Sequence, residues 1–99
     1  MINKNELGTI NIKDKAIKEI VQIAVKKTKF VRPAKKDLSF IEISSRSNKL
    51  VLNVNVKIKE GKDILNISSI AQKNITDAIV DFTSAKISNL KVSIVDFYN

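Results

Sequence analysis

An alternating stretch in the middle of the chain constrains the fold more than any other feature. In residues 50–59, LVLNVNVKIK, the residues Leu50, Leu52, Val54, Val56 and Ile58 alternate with Val51, Asn53, Asn55, Lys57 and Lys59. Successive side chains of a β-strand point to opposite faces, so this pattern predicts one long strand with an apolar face and a polar face. The apolar face needs a second layer to cover it. The polar face either meets water or contacts a partner.

Two amphipathic stretches can supply the covering layer. A helix is predicted from about Lys15 to Thr28, capped by Asp14, because Ile17, Ile20, Val21 and Ala24 recur at helical spacing. A second helix is predicted from the cap Asp63 to about Phe82. Its apolar stripe consists of Ile64, Ile67, Ala71, Ile75, Ala78, Ile79 and Phe82. Each helix therefore has one face to bury against the sheet.

Three further strands are predicted: Leu7–Ile12, Asp37–Ser44 and Ala85–Phe97. A turn at Ser45–Asn48 makes the second and third strands an antiparallel hairpin. The order βαββαβ in a single domain of residues 1–99 predicts a two-layer α+β fold, with two helices on one face of a four-stranded sheet. A ferredoxin-like arrangement is the commonest closure of this order. Alternation does not give strand order, so related two-layer topologies remain open.

The basic residues are concentrated in one segment. The net charge is +8, from 16 Lys and two Arg against ten acids, and an AT-rich genome that over-uses Lys, Ile and Asn accounts for part of it. Residues 26–36 hold six cations and no acid: Lys26, Lys27, Lys29, Arg32, Lys35 and Lys36. Such a cluster can bind RNA, the ribosome or anionic lipid through counterion release. The alternative is a solvated helix end, because the helix dipole favours cations near a helix C-terminus.

The composition excludes most kinds of active site. The chain has no His and no Cys, and its two glycines, Gly8 and Gly61, cannot form a phosphate-binding loop. Asp77 and Asp81 lie four residues apart on the second helix, where two carboxylates are usually just solvated. The polar face of the long strand has no aromatic residue, unlike the sheets of RNA-recognition domains. We therefore predict no enzyme activity, catalytic residue, metal, cofactor or small-molecule substrate.

Taken in order, these elements resemble the alkaline-shock family, the envelope stress response proteins of Gram-positive bacteria. That family opens with a Gly-x-Ile-x-Ile strand, here Gly8, Ile10 and Ile12, and a glycine, here Gly61, precedes its second helix. Gln72 and Thr83 occupy the family's positions in and after that helix. Two departures mark a divergent member. The Gly-Val pair expected after the first helix is missing from TKFVRPAKK, and Ser84 replaces a glycine.

The resemblance implies a non-enzymatic, cytoplasmic interaction module that reaches the membrane through a partner. Its partners would be proteins, among them one anchored in the membrane, and copies of itself. The chain has no apolar run of the ~20 residues that span a bilayer and no recognisable export signal, which also favours the cytoplasm. The last strand is a candidate self-association edge, because Val95 and Phe97 are apolar beyond what the core requires. The alternative is that these two residues cover a helix end.

Overall fold

A computed structural model describes residues 12–46, 49–82 and 87–99, and the structural statements that follow concern those residues. Helix α1 (Ile12–Lys27) comes first, followed by strand β1 (Val31–Pro33) and a 3-10 turn (Leu38–Phe40). Strands β2 (Ile41–Arg46) and β3 (Lys49–Lys59), helix α2 (Ile64–Phe82) and strand β4 (Ile87–Tyr98) complete the chain. The predicted two-layer α+β fold, with a four-stranded sheet and two helices, is confirmed.

Strand β3 is the centre of the sheet. One of its edges pairs with β4, which runs parallel to it. The other edge is shared by two short strands, both antiparallel to β3: β2 pairs with its first half and β1 with its second half. The predicted hairpin between β2 and β3 is therefore confirmed, with Ile41 opposite Val54 and Ser44 opposite Val51. The sheet is mixed, and among the described strands β3 is the one that pairs with all three others.

The described pairing is a related two-layer topology and not the ferredoxin-like one. In a ferredoxin-like sheet the βαβ unit is split, so that another strand lies between the two strands that a helix connects. Here α2 connects β3 directly to its parallel neighbour β4. The predicted first strand, Leu7–Ile12, lies outside the described residues except for Ile12, and Ile12 begins α1.

The core lies between the sheet and the two helices. The apolar face of β3, made by Leu52, Val54, Val56 and Ile58, has no solvent exposure. It packs in one cluster against residues of both helices, namely Ile17, Val21, Ala24, Val25, Ile67, Ala71, Ile75 and Ile79. Full burial of each such aliphatic side chain contributes about 1.5–3 kcal/mol. The apolar face predicted from alternation is thus the floor of the core, and both helices cover it.

The helix ends differ in part from the prediction. Helix α1 begins at Ile12, so Asp14 lies inside its first turn and is not the capping residue. The helix dipole still favours a carboxylate at this position. The Asp63 cap is confirmed, because its Oδ1 accepts a hydrogen bond from the Asn66 N–H at 3.2 Å. Phe82 was wrongly assigned to the core, since 75% of it is exposed. The buried stripe of α2 ends one turn earlier, at Ile79.

The predicted second strand also starts later than expected. Only its second part is β2, because Leu38–Phe40 form the 3-10 turn. Asp37 caps this turn, and its carboxylate accepts hydrogen bonds from the Ser39 hydroxyl and, at 3.0 Å, from the Ser39 N–H. These bonds, with Lys35 nearby, lower the pKa of Asp37. The turn inserts Phe40 into the core, where it is almost fully buried.

Candidate polyanion-binding site

The first half of the open sheet face is occupied by its own hydrogen bonds. Asn53 donates from Nδ2 to Glu42 Oε1 on β2 at 2.9 Å. Its Oδ1 accepts from the Ser93 hydroxyl on β4, also at 2.9 Å. One amide side chain thus bridges three strands, and both of its polar atoms have partners. Asn53 has a structural role, and no binding role is needed to explain it.

Asn55 closes the gap between β1 and β2, which lie end to end on the same edge of β3. Its carbonyl accepts the Ala34 N–H at 3.0 Å, where the chain leaves β3 after β1. Its side-chain Nδ2 donates to the Phe40 carbonyl at 3.2 Å, where the chain returns. Residues 34–40 are therefore an excursion from the sheet edge, fixed at both ends by one residue. This excursion carries Lys35 and Lys36.

A left-handed residue turns the chain from α1 into β1. Phe30 has φ +70°, a conformation that costs a bulky residue of order 1–2 kcal/mol and that glycine adopts freely. Phe30 and Val31 follow the first helix, where the resemblance expects a Gly-Val pair. Hydrogen bonds of the buried Thr28 hydroxyl stabilise the turn. This hydroxyl donates to the Ala24 carbonyl at 2.8 Å and accepts from Asn74 Nδ2 at 3.0 Å. A turn suited to glycine is thus built with phenylalanine.

Strand β1 places Arg32 on the open face. Val31 is buried opposite Ile58, so the next residue points to the other side, opposite Lys57. Two flanking hydrogen bonds extend this short pairing: Lys59 N–H to the Phe30 carbonyl and Ala34 N–H to the Asn55 carbonyl, both 3.0 Å. Pro33 is tolerated because β1 is not in the centre of the sheet.

A β-bulge places Tyr98 on the same face. Ile94 pairs with Val56, but Asp96 pairs with the next residue, Lys57, so Val95 is the extra residue. Every side chain after the bulge therefore points opposite to the direction that simple alternation gives. Tyr98 is brought onto the open face beside Lys59. The Arg32 guanidinium lies over its ring, with Cζ 3.9 Å from the ring centroid.

These features meet in one cleft of about 710 Å³, which we call the basic cleft. The residues that line it include two aromatics, Phe30 and Tyr98, and no acid. They also include six cations: Lys26, Lys29, Arg32, Lys35, Lys36 and Lys57. Within the described part of the chain, none of these six forms an ion pair with a carboxylate. Five of the six cations predicted from residues 26–36 are therefore brought together, and β3 contributes a further one.

Phe30 lies among lysines as well as against the core. The Lys62 Nζ is 4.3 Å from the Phe30 ring centroid, and those of Lys29 and Lys59 are 5.4 and 5.9 Å away. Cations at these distances are attracted to the ring face. Lys59 and Lys62 thus extend the positive charge beyond the lining of the cleft.

Lys27 is the one predicted cation that lies elsewhere. It lines a separate groove of about 540 Å³ between the two helices, together with Asp77 and Asp81. Asp77 also pairs with Lys73 at 3.2 Å, so this carboxylate has ordinary exposed partners on its own helix. The two aspartates that spacing singled out are therefore part of a mixed-charge helix surface. No group of three or more His, Cys, Asp or Glu that could hold a metal occurs in the described ranges.

The candidate self-association edge is split by the bulge. Val95 is 56% exposed and has no register partner on β3. Phe97, 45% exposed, is opposite buried Ile58 and so lies on the helix-facing side of the sheet. Among the described strands, β4 pairs only with β3, which leaves its second edge without a described neighbour.

The positions that carry the resemblance have structural roles where they are described. Gly61 turns the chain from β3 into α2 with φ +84°. Gln72 donates from Nε2 to the Leu90 carbonyl at 3.1 Å and so ties α2 to β4. Gly8 and Thr83 lie outside the described residues. These contacts explain the residues as parts of the fold, whatever the family.

Comparisons of the chain with family models, with curated proteins and with solved structures each find no match. The alkaline-shock resemblance therefore stays a hypothesis from short motifs. Of the helices in the described ranges, neither has the length and apolar character that crossing a membrane requires.

Proposed function

We propose that this protein binds a polyanion in the basic cleft. The observation that supports the proposal is the convergence of six cations, from α1, the turn, β1, the 34–40 excursion and β3, in a cleft whose lining has no acid. A solvated helix end explains Lys26 and Lys29. It does not explain Arg32 and Lys57, which are register partners on the adjacent strands β1 and β3. A codon bias explains lysine frequency but not this spatial convergence.

The charge arrangement favours an anionic ligand energetically. Like charges placed across strands repel and cost stability, with effects of a few tenths of a kcal/mol to about 1 kcal/mol for each pair. A polyanion removes this repulsion and releases its own counterions, so binding weakens steeply with salt. If all six cations contact phosphates of a flexible single chain, the slope of log K against log salt is about −4.

Inorganic polyphosphate is the appropriate first probe, because it carries charge without bases or lipid. Its binding to the full chain is measured by isothermal titration from 50 to 300 mM salt. In the test variant Lys29, Arg32 and Lys35 are changed to Glu; in the control, Lys15, Lys18 and Lys91, which lie outside the cleft. We expect the test variant to lose at least a hundredfold in affinity and the control to lose less than threefold. Equal losses in both variants would mean net charge alone, and salt-independent binding would exclude the proposal.

A second candidate function is self-association through the edge of β4 that has no neighbour among the described strands, as the hypothesis of an interaction module predicts. The specific observation is a 12-residue strand, at the edge of the sheet as far as it is described, with an exposed apolar residue at its bulge, Val95. Two copies of β4 paired antiparallel with Ser93 opposite Ser93, and with Val95 as the extra residue in each, bring Lys91 of one copy near Asp96 of the other, which suits opposite charges. A protein partner such as a membrane-anchored protein could use the same edge.

The second candidate is tested by light scattering after size-exclusion chromatography. Val95→Lys places a charge on the edge and should shift a dimer to a monomer, while Lys91→Gln should weaken it less. Unchanged mass in Val95→Lys, starting from a demonstrated dimer, would exclude this edge. A monomeric wild-type chain at all concentrations would exclude self-association itself.

A further inference from the structure

We infer that the polyanion is a single-stranded nucleic acid, with bases stacked on Phe30 and Tyr98 and phosphates against the surrounding cations. The inference deepens the proposed function and rests on it. A purely electrostatic site needs no aromatic side chains. This cleft contains two of the chain's five aromatic residues, and one of them is held there at a cost in backbone strain.

The two rings flank the same position of the central strand. The Lys59 N–H bonds the Phe30 carbonyl on one side, and Tyr98 is the register partner of Lys59 on the other. Neighbouring strands are about 4.8 Å apart, so the two backbones lie about 10 Å from each other. Lysines of β3 lie between them. A positively charged groove with aromatic side chains along it is how proteins bind single strands without reading sequence.

Both rings are fixed in advance of any ligand. The Arg32 guanidinium stacks on one face of the Tyr98 ring, with Cζ 3.9 Å from the centroid, and the inference assigns the opposite face to a base. Phe30 is fixed by its left-handed backbone and by packing against the core, and the inference assigns to a base the part of Phe30 that lines the cleft. Strain of this kind is found where a side chain must be aimed, and prior fixation lowers the entropy that binding costs. The bulge at Val95 is the feature that turns Tyr98 toward the cleft.

The cleft discriminates against other polyanions. Duplex bases are already stacked on each other and cannot stack on the rings. A lipid surface offers headgroup charge but nothing flat for the rings to cover. The lining residues include no Asn, Gln, Asp or Glu that could read base edges, and the inference assigns the Lys and Arg side chains to phosphates, so we expect little sequence preference.

Tyrosine fluorescence gives a direct readout, because Tyr98 is the only tyrosine and the chain has no tryptophan. Wild-type protein is titrated with (rU)12, (dT)12, a 12-base-pair duplex, polyphosphate and vesicles that contain anionic lipid. We expect both single strands to quench Tyr98 and to bind at least tenfold more tightly than the duplex. We expect polyphosphate to bind without comparable quenching.

The matched variants separate stacking from charge. Tyr98→Leu and Phe30→Leu keep an apolar side chain and every cation, and Phe82→Leu changes an exposed aromatic outside the cleft. Stacking of one base is worth about a tenfold change in affinity or more. We therefore expect each cleft variant to lose about tenfold for (rU)12 and little for polyphosphate, and Phe82→Leu to bind like the wild type. Circular dichroism checks that each variant is folded.

Each contrary outcome has a distinct meaning. Equal affinity for duplex and single strand, or cleft variants that bind (rU)12 normally, would overturn the stacking inference while polyphosphate binding still supports the proposed function. Vesicle binding without oligonucleotide binding would replace nucleic acid by lipid as the ligand. Failure of polyphosphate and oligonucleotides alike, at low salt, would overturn both proposals.

Discussion

The two halves of the open face of β3 follow the same sequence pattern and have opposite characters. In the first half, Asn53 bonds to Glu42 and to Ser93, so its polar atoms are satisfied within the sheet. In the second half, Lys57 lies opposite Arg32, a like charge, beside a cleft lined by further cations. The first half stabilises the sheet. The second half holds charge that no described carboxylate in the cleft lining neutralises.

The difference comes from cross-strand neighbours and not from the strand itself. A polar residue on an exposed strand position is explained by its neighbours if they complete its hydrogen bonds, and suggests a ligand if they do not. Alternation alone gives both halves the same interpretation. The predictions below test whether the halves are as separate as their contacts indicate.

The largest effect is expected from Asn55, which lies between the halves. Asn55→Leu removes the side-chain bond to the Phe40 carbonyl and releases one end of the excursion that carries Lys35 and Lys36, without removing a charge. We expect polyphosphate affinity to fall about tenfold, and the free energy of unfolding by about 1–2 kcal/mol. Titration and urea denaturation measure the two. Loss of stability with unchanged affinity would show that the excursion does not contribute to the site.

An exchange of residues between the halves is the next most informative change. The double variant Asn53→Lys, Lys57→Asn keeps the composition. It moves one cation from the second half of the open face, beside the cleft, to the first half, where hydrogen bonds satisfy Asn53. We expect about a fivefold loss of polyphosphate affinity, and a salt slope shallower by ~0.7–1, as for the loss of one phosphate contact. An unchanged slope would show that the whole face acts as one surface.

The left-handed turn at Phe30, between α1 and β1, predicts an unusual order of stabilities for two variants. Phe30→Ala and Phe30→Gly remove the same ring contacts, but only glycine adopts φ +70° without strain. We expect Phe30→Gly to be the more stable by about 1 kcal/mol in urea denaturation, the reverse of the usual effect of glycine. Gly61→Ala should lower the free energy of unfolding by a similar amount, because φ is +84° there. Since no atom lies within 4 Å of the added Cβ, backbone strain alone sets this loss.

Salt should stabilise the protein through the cleft half. Screening weakens repulsion among the cleft cations, since the Debye length falls from about 10 Å at 0.1 M to about 3 Å at 1 M. We expect the melting temperature to rise by a few degrees between 0.05 and 0.5 M sodium chloride. Lys57→Gln should reduce this rise, and Lys91→Gln, in the first half, should change it less. An equal reduction would attribute the effect to net charge.

The smallest effect concerns the end of the excursion. Hydrogen bonds from Ser39 lower the pKa of Asp37 in the folded state, so this group contributes stability above its unfolded pKa. That contribution is lost as the pH falls through the folded pKa. Ser39→Ala should raise the pKa of Asp37 toward its ordinary value, measured by NMR titration. An unchanged pKa would assign the shift to the causes that the variant keeps, the Ser39 backbone N–H and Lys35.

Much of the fold could be predicted because burial imposes periodicity. The apolar face of β3, the stripe of α2 up to Ile79 and the Asp63 cap all follow from spacing and local chemistry. The ends of elements were less predictable. Phe82 continues the stripe in sequence but is exposed, at the groove between the helices, and the 3-10 turn at Leu38 has a sequence that predicts the start of a strand.

The site was only half visible in the sequence. A run of like charges is local information, so Lys26–Lys36 could be singled out. Lys57 and Tyr98 could not, because their place depends on pairing across β3 and on the bulge at Val95, which has no fixed sequence signature. Sequence order also grouped Lys27 with its neighbours, although the helix directs it to the other side of α1.

The placement of β1 and β2 on one edge of β3 has a consequence for how the protein can be altered. Residues 34–40 leave and rejoin the same edge, and Asn55 fixes both ends, so added residues would not change the register of either strand. Insertions of two to four residues after Lys36 should therefore be tolerated, as they are in surface loops generally. Residues 34–40, at the rim of the cleft, could then be replaced by other loop sequences. The ligand preference of the cleft could be changed in this way without redesigning the sheet.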